Sequence, residues 1–431
     1  MALPKGTARQ SRLATDPIND RYQRRVGSSL SPASVSSVLR MADLGELQLQ
    51  ADLLDEVREK DGHLQSVLSK RESAVAGAPW ELRPSQKGPR KRAETIARFC
   101  TEALQNLDCF PMVLADLMSA MYHGRAIGEV IWVRDGRSWL PKTVEPVHAR
   151  RCRYSQRDWQ LRICDQEPGP FSGEGIPVAQ INALIPGKLI VHTPRIRGGY
   201  PTREGLGRTT VWYAGAFKGL GIRDLLAYAE QYGRPIRMGV YGTGKDPKLP
   251  MASAEDVDEM LDALENLSSK LVAAFPDTCR PELYKPPSEG NSVHAVLLSI
   301  CDEEVSKAVL GNTLTTQVGS TGGNRALGEV HADAETKIAK LDALQLAATL
   351  RRDLLIPLVE LNGWSASEAP AIMFTVEESE SLDALASRFK TLGEAGVAIE
   401  EAHIRDRMAI PEPRPGEPVI GRKAETPPPQ Q

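Results

Sequence analysis

The spacing in this chain that comes nearest to chemistry is Gly239, Gly244 and Lys245, the G-x-x-x-x-G-K of a loop that cradles nucleotide phosphates. The next position breaks the pattern. A Ser or Thr hydroxyl is needed there to hold magnesium, and Asp246 would instead put a carboxylate beside the phosphates. Pro247 and Pro250 also keep a helix from starting where its N-terminus should face the anion. A polar turn between a strand and a helix is expected. Gly319, Gly322 and Gly323 form a second glycine-rich run, but not a G-x-G-x-x-G, and helix rather than strand precedes it. The histidines lie far apart, with no H-E-x-x-H; His123 at a helix end and His331 near a helix start read as capping or surface residues. There is no G-x-S-x-G elbow. Cys100, Cys109, Cys152, Cys164, Cys279 and Cys301 include no C-x-x-C pair and read as small buried hydrophobes rather than disulfides or zinc ligands. No catalytic residue, metal or cofactor is expected.

Charge and polarity carry the remaining signal. Asp302, Glu303 and Glu304, with Lys307 one turn on, most simply form a solvated helix face. The loop after them holds Thr313, Thr315, Thr316, Gln317, Ser320 and Asn324 with Arg325 as its one charge. A net charge of −3 argues against a protein that grips nucleic acid statically, since that grip comes from neutralising phosphates. It does not exclude one along which DNA slides.

The elements that would position these residues follow from periodicity. A chain of 431 residues, 41% apolar and 25% charged, predicts two or three packed units of a globular protein. No apolar run approaches the ~18 residues of a membrane span, and the basic start has no apolar h-region, so a cytosolic-type chain is expected. Residues 1–40 read as a polar arm and 412–431 as a Pro-rich tail, neither able to pack a core. Leu47, Ala51, Leu54, Val57, Leu64 and Leu68 predict an amphipathic helix over 43–73, with a break at Gly62. Helices are expected at 89–107 and 111–122, the second closed by Gly124, and a strand from 126 to 133 leads to a hairpin signal at Asp135-Gly136. The stretch 206–232 reads as one long helix with an alternative break near Gly219, and its glycines suggest close approach to another helix. A small α/β insert follows, then a helix at 293–310. Another runs from 329 to about 360, in which Pro357 is expected to kink or end the path. A strand at 371–376 and short helices at 379–392 and 399–408 complete an α+β chain.

Several segments, in this order, resemble phage portal proteins. Asp61, His63, Leu64, Leu68 and Arg71, followed by Trp80 and Leu82, resemble a portal helix carrying D-x-H-L-x-x-x-L-x-x-R that leads into a W-x-[LIV] strand. Gly205, Leu206, Arg208, Lys218, Asp224, Glu230, Gly233 and Pro235 are similar to the stretch that precedes the clip in portals of Mu-like transposable phages. Gly396, Glu401, Arg405 and Pro411 resemble the portal ending, although Ile399 stands where relatives carry a capping hydroxyl.

The resemblance implies a wing (41–205 and 329–377), stem helices (206–232 and 293–311) and a clip (233–292). It also implies a tunnel loop (312–328) and a helical crown (378–411). It implies a ring of about twelve copies in the virion, at one capsid vertex, for DNA packaging and ejection. The partners would be double-stranded viral DNA, the major capsid protein, the large terminase and then neck or adaptor proteins. Lys307, Arg325 and the polar loop residues would touch DNA, while Asp302, Glu303 and Glu304 would line the lumen. The rival readings are a nucleotide-dependent DNA-processing enzyme and another ring-forming head-completion or connector protein.

Overall fold

A computed structural model describes residues 30–164, 175–232, 236–243, 250–266, 278–284, 290–312, 325–376, 382–397, 399–408 and 410. The first helix, α1 (Pro32–Asp43), starts inside the expected arm. Ser31 and Ser34 cap one another through reciprocal side-chain to backbone hydrogen bonds, and Pro32 supplies a preset first turn. Val35, Val38 and Leu39 are buried, so the arm ends before residue 32. The expected break at Gly62 separates α2 (Gln48–Lys60) from α3 (Gly62–Ala76), and Asp61 caps α3 by accepting from the Leu64 amide at 2.8 Å.

Strand β1 (Trp80–Arg83) and helices α4 (Arg90–Gln105), α5 (Phe110–Met118) and α6 (Ala120–His123) follow. Gly124 ends α6 at φ +83°, and an added Cβ there would lie 2.3 Å from the Glu204 carbonyl oxygen. Strands β2 (Ala126–Asp135) and β3 (Ser138–Val147) form the expected hairpin. Next come β4 (Cys152–Tyr154), β5 (Leu161–Ile163), β6 (Ile176–Pro177), α7 (Val178–Leu184) and β7 (Leu189–His192). The sheets run β3-β2-β7 and β4-β5-β6, all antiparallel.

The long helical path of the first half begins as α8 (Gly207–Thr210), widens into a π-helical segment (Val211–Phe217) and continues as α9 (Lys218–Tyr232), without a break at Gly219. The insert contains β8 (Ile236–Tyr241), α10 (Ala254–Asn266) and β9 (Cys279–Tyr284), with β8 and β9 paired antiparallel. The sequence also predicts a strand over 271–275, and these residues lie outside the described ones. Helix α11 (Gly290–Leu310) returns, and α12 (Arg325–Leu350) leads through a π-helical segment (Arg351–Leu355) into α13 (Ile356–Leu361). Pro357 therefore neither ends nor sharply breaks the path. The wider turn before it takes up the missing amide and the ring that would crowd a preceding carbonyl. Strand β10 (Ala371–Phe374) pairs with β1.

The main core joins α4, α5, β2, α12, α13 and β10, and a second joins α1, α2 and α3 to the π segment 211–217 and the end of α11. Contacts divide the chain into two units, Met1–Val376 and Glu377–Gln431. The second holds α14 (Leu382–Glu394) and α15 (Glu401–Arg407). Gly396 turns the chain at φ +78°, and Arg405 pairs with Glu401 at 2.6 Å, so α15 forms although Ile399 offers no capping hydroxyl. The fold class is α+β. Among the described residues no helix is long and apolar enough to cross a membrane.

Candidate functional site: the stem pair and its anchors

Helices α9 and α11 lie side by side and run antiparallel. Lys218 meets Asp302, Gly221 faces Leu297, and the Tyr228 and His294 rings lie 6.1 Å apart, so one sequence rises as the other falls. An added Cβ at Gly221 would stand 2.9 Å from Leu297 Cδ2, at Gly215 2.9 Å from Val57 Cγ2, and at Gly207 2.6 Å from Leu54 Cδ1. The close approaches expected of these glycines are thus made within the chain; Gly219 alone of the four faces open space.

The base of the pair is fastened by the residues of the D-x-H-L-x-x-x-L-x-x-R segment. Asp61, while capping α3, also accepts from Lys218 Nζ at 2.8 Å, and the same ammonium donates to Asp302 at 2.5 Å. One lysine therefore joins α3, α9 and α11. Its burial is unfavourable to the charge, but the hydrogen bonds it donates to the two carboxylates outweigh it and hold the Lys218 pKa above its ordinary value. His63 Nε2 lies 2.8 Å from Ser306 Oγ on α11. Arg71 donates through Nε and Nη2 to the Asp342 carboxylate on α12 (2.7 and 3.1 Å), and through Nη1 to the Val309 carbonyl (2.6 Å). Lys70 pairs with Glu335 at 2.6 Å, and Asn312 donates to the same carboxylate at 3.1 Å. Helix α3 thereby holds the end of α11 and the body of α12. At the other end of the path, Arg208 ties α8 to Asp43 on α1 and Gln50 on α2, at 2.8 and 2.9 Å.

The expected site residues separate. Asp302 is committed to Lys218 rather than standing in an acidic row. Lys307, expected as a cation free for phosphate, donates to Glu304 at 2.8 Å and lies 3.9 Å from Glu303. Glu303, Glu304 and Lys307 are exposed or half-buried on the same helix face. Thr313, Thr315, Thr316, Gln317, Ser320 and Asn324 lie outside the described residues, and Arg325 opens α12. Ser306 and Asp342 went unassigned in the sequence, and Lys218 stood out only within its own stretch, because all three sit far along the chain from the motif they complete.

The remaining candidates fall on other elements or outside the described residues. Gly239 and Tyr241 belong to β8, and 244–249 lie outside the described residues. His123 is neither a surface residue nor a cap: it is buried with its Nε2 3.3 Å from Asp55, whose other oxygen lies 3.2 Å from His148 Nε2. His331 lies within α12. Cys100, Cys152, Cys164 and Cys301 are buried as expected, whereas Cys109 is exposed at φ +48°. Burial pushes the Cys100 thiol up to about 12 and the Cys152 thiol up to about 11. Among the described residues no group of three His, Cys, Asp or Glu side chains could hold a metal ion.

Comparison with known proteins places this geometry. Residues 51–410 match the family described as the portal protein of Mu bacteriophage. The chain is 31% identical to the Mu-like prophage FluMu protein gp29 of Haemophilus influenzae, over 98% of its own length and 78% of that protein's. It is 30% identical to the portal protein of Escherichia phage Mu, over 91% and 73%. A chain from the neck of the native GTA particle superposes with a TM-score of 0.51 at 10% identity, covering 89% of this chain and 95% of its own. One from the neck of the empty particle gives 0.52 at 11%, covering 92% and 100%. These two likenesses speak for the fold alone. The match over residues 51–410, together with both relatives, establishes that the chain belongs to the Mu bacteriophage portal protein family.

Proposed function

We propose that the chain is one subunit of a ring at a single capsid vertex, a channel through which double-stranded viral DNA enters the head and later leaves it. The observation that supports a ring is an apolar stripe on the stem pair. Leu226 on α9 is 60% exposed, and Val293 and Val296 on α11 are 67% and 57% exposed, with Ile222 and Ile300 beside them. Large apolar side chains exposed four apart on α9 and three and four apart on α11 mark surfaces that are covered in the assembled state. Covering the exposed part of each contributes about 1–2 kcal/mol. In a ring, the neighbouring subunit's stem is what covers them. Twelve copies is the proposed number; the native GTA neck was computed with C12 symmetry.

On this reading the wing is 41–205 with 329–377, the stem is 206–232 with 293–311, and the clip is 233–292. The tunnel loop is 312–328 and the crown 378–411. Glu303 and Glu304 face the lumen, where like charge keeps DNA from adhering. The hydroxyl and amide side chains of the loop make weak, replaceable contacts to the moving backbone, with Lys307 and Arg325 as intermittent cations. The wing meets the major capsid protein, and the clip meets the large terminase and then the neck or adaptor proteins. The role is structural rather than catalytic.

Negative-stain imaging with mass analysis of the purified chain, alone and with the phage's scaffold, tests the reading. Rings of about a dozen subunits with a central hole are the expected result. A compact dimer with nucleotide-dependent activity would overturn it in favour of a DNA-processing enzyme. Rings that bind the tail side of a preformed portal would favour a connector.

A further inference from the structure

The net charge of −3 conceals a local excess of the opposite sign. Lys87, Arg90, Lys91 and Arg98, on α4 and the loop before it, are exposed, as are Arg134 and Arg137 at the tip of the β2–β3 hairpin. The two groups are held together by residues 362–368. Ser85 Oγ donates to the Ser367 carbonyl at 2.8 Å, and Arg92 pairs with Glu368 at 2.7 Å, fastening the loop and the start of α4. Phe99 on α4 packs edge-on against Trp364 with ring centroids 5.0 Å apart. Asn362 is bonded to both the amide and the carbonyl of Trp139, two residues beyond Arg137.

Local stability does not account for these cations. Arg90, Lys91 and Arg92 occupy the first turn of α4, where the helix dipole disfavours positive charge, and Pro89 supplies no side-chain cap. Arg90 pairs with Glu94 at 2.8 Å, but Lys87, Lys91, Arg98, Arg134 and Arg137 have no ion-pair partner among the described residues. The kind of partner follows from what is absent beside them. No large apolar side chain is exposed on α4, on 84–89 or on the hairpin tip. The centre of a protein interface is depleted of charge and rich in aromatic residues, whereas a surface for nucleic acid is polar and strongly positive.

We infer that these exposed cations on α4, the loop before it and the hairpin tip bind the phosphate backbone of duplex DNA, on elements other than the stem helices. Only the identity of the polymer rests on the portal reading. A ring through which DNA fills a head meets that polymer in its channel and again against the outer surfaces it presents to the filled head. Contacts to phosphate from scattered Lys and Arg carry no sequence preference.

Covalently closed circular DNA provides the test, because it cannot thread a closed ring and so reports the outer surface. The full-length chain should bind the circle at about 50 mM salt, with a log–log salt slope near −5 if all six cations each replace a counterion. The variant K87Q/R90Q/K91Q/R98Q/R134Q/R137Q should bind at least ~10-fold more weakly with a shallower slope. R90K/R98K/R134K/R137K, which keeps the charge, should still bind. The proposal fails if the wild-type chain does not retain the circle, if the glutamine variant binds equally, or if the lysine variant loses binding. It also fails if polyglutamate displaces the circle as well as duplex of equal charge does, since that would indicate an acidic protein partner. Mass analysis of the same samples keeps the two readings apart. Glutamine-variant rings that lose the circle leave the ring reading intact, and a wild-type chain that binds it through these cations yet stays monomeric even with the scaffold would overturn the ring while keeping the surface.

Discussion

His192, near the end of the β3-β2-β7 sheet, sets where the first unit responds to acid. It is 1% exposed, its Nδ1 lies 3.0 Å from Thr349 Oγ1, and burial, with Arg352 nearby, pushes its pKa down to about 4. An unfolded histidine titrates near 6.5, so between 6.5 and about 4 the unfolded chain binds a proton that the folded chain refuses. Stability is then complete above 6.5 and falls as the pH drops toward 4, by up to about 3 kcal/mol. Denaturation midpoints measured across this window should decline in the wild type and decline less in His192→Gln; identical slopes would remove His192 as the source. Asp55 acts lower. Burial alone would raise its pKa, but hydrogen bonds from His123 and His148 hold it well below the usual range. Its contribution is present above its ordinary value of 3.8 and is lost only as the pH falls below that. A second prediction concerns Arg71. Removing it leaves Asp342, 2% exposed, as a buried unpaired charge and leaves the Val309 carbonyl without its donor. Arg71→Met should cost about 3–5 kcal/mol in urea unfolding, and Arg71→Met/Asp342→Leu should cost less than the sum of the two single changes. Additive losses would show that the pair is not coupled. At this scale the sequence was only half legible. Asp61, His63 and Arg71 stood out as a pattern, but Arg71 and Asp342 are 271 positions apart, and no local periodicity connects them.

Among the elements, local chemistry was readable where it acts within a turn or two. The break at Gly62, the cap at Gly124 and the Asp135-Gly136 hairpin all lie where expected, because caps and tight turns are determined by neighbours in sequence. Both π-helical segments escaped notice, since no periodicity distinguishes a widened turn from an α-helix containing the same residues. Each lies on a long helical path at a packed point, Val211–Phe217 against α1 and α2 and Arg351–Leu355 just before Pro357. The close approach expected of the glycines is met by other helices of the same chain at Gly207, Gly215 and Gly221, and not at Gly219, because a sequence shows that backbones come close without showing at which of several glycines. A paired substitution separates the cases. Gly219 faces open space, so Gly219→Ala should stabilise the isolated chain by up to about 1 kcal/mol through helix propensity alone. Gly215→Ala places a Cβ 2.9 Å from Val57 Cγ2, on a side chain that is 1% exposed and cannot yield, and should destabilise by about 1–3 kcal/mol. Denaturant midpoints moving in the same direction for both would show that these close approaches do not govern the first stem helix.

For the molecule as a whole, the order of elements was more informative than any single motif. Three segments, each weak alone, fell in the sequence that the family match over 51–410 bears out. The start of α1 was missed because a serine-rich stretch reads as polar even when Ser31 and Ser34 are spent on capping and Val35, Val38 and Leu39 face a core. Among the described residues the apolar side chains exposed on the stem helices are one surface the single chain leaves uncovered, and its consequence can be isolated from folding. Leu226 and Val296 are exposed in the lone subunit, so Leu226→Asp and Val296→Asp should change its denaturation midpoint by no more than the ~0.5 kcal/mol usual for surface positions. In a ring the same carboxylates would be buried without a partner, at a cost of several kcal/mol per interface. Both variants should therefore fold normally and sediment as monomers under conditions where the wild type assembles. Leu184→Asp, on α7 and 72% exposed, removes at least as much exposed apolar surface away from the stem and should leave assembly unchanged. If Val296→Asp formed rings as readily as the wild type, the stripe would not be the subunit interface, and the surface covered on assembly would have to lie elsewhere on the wing or clip.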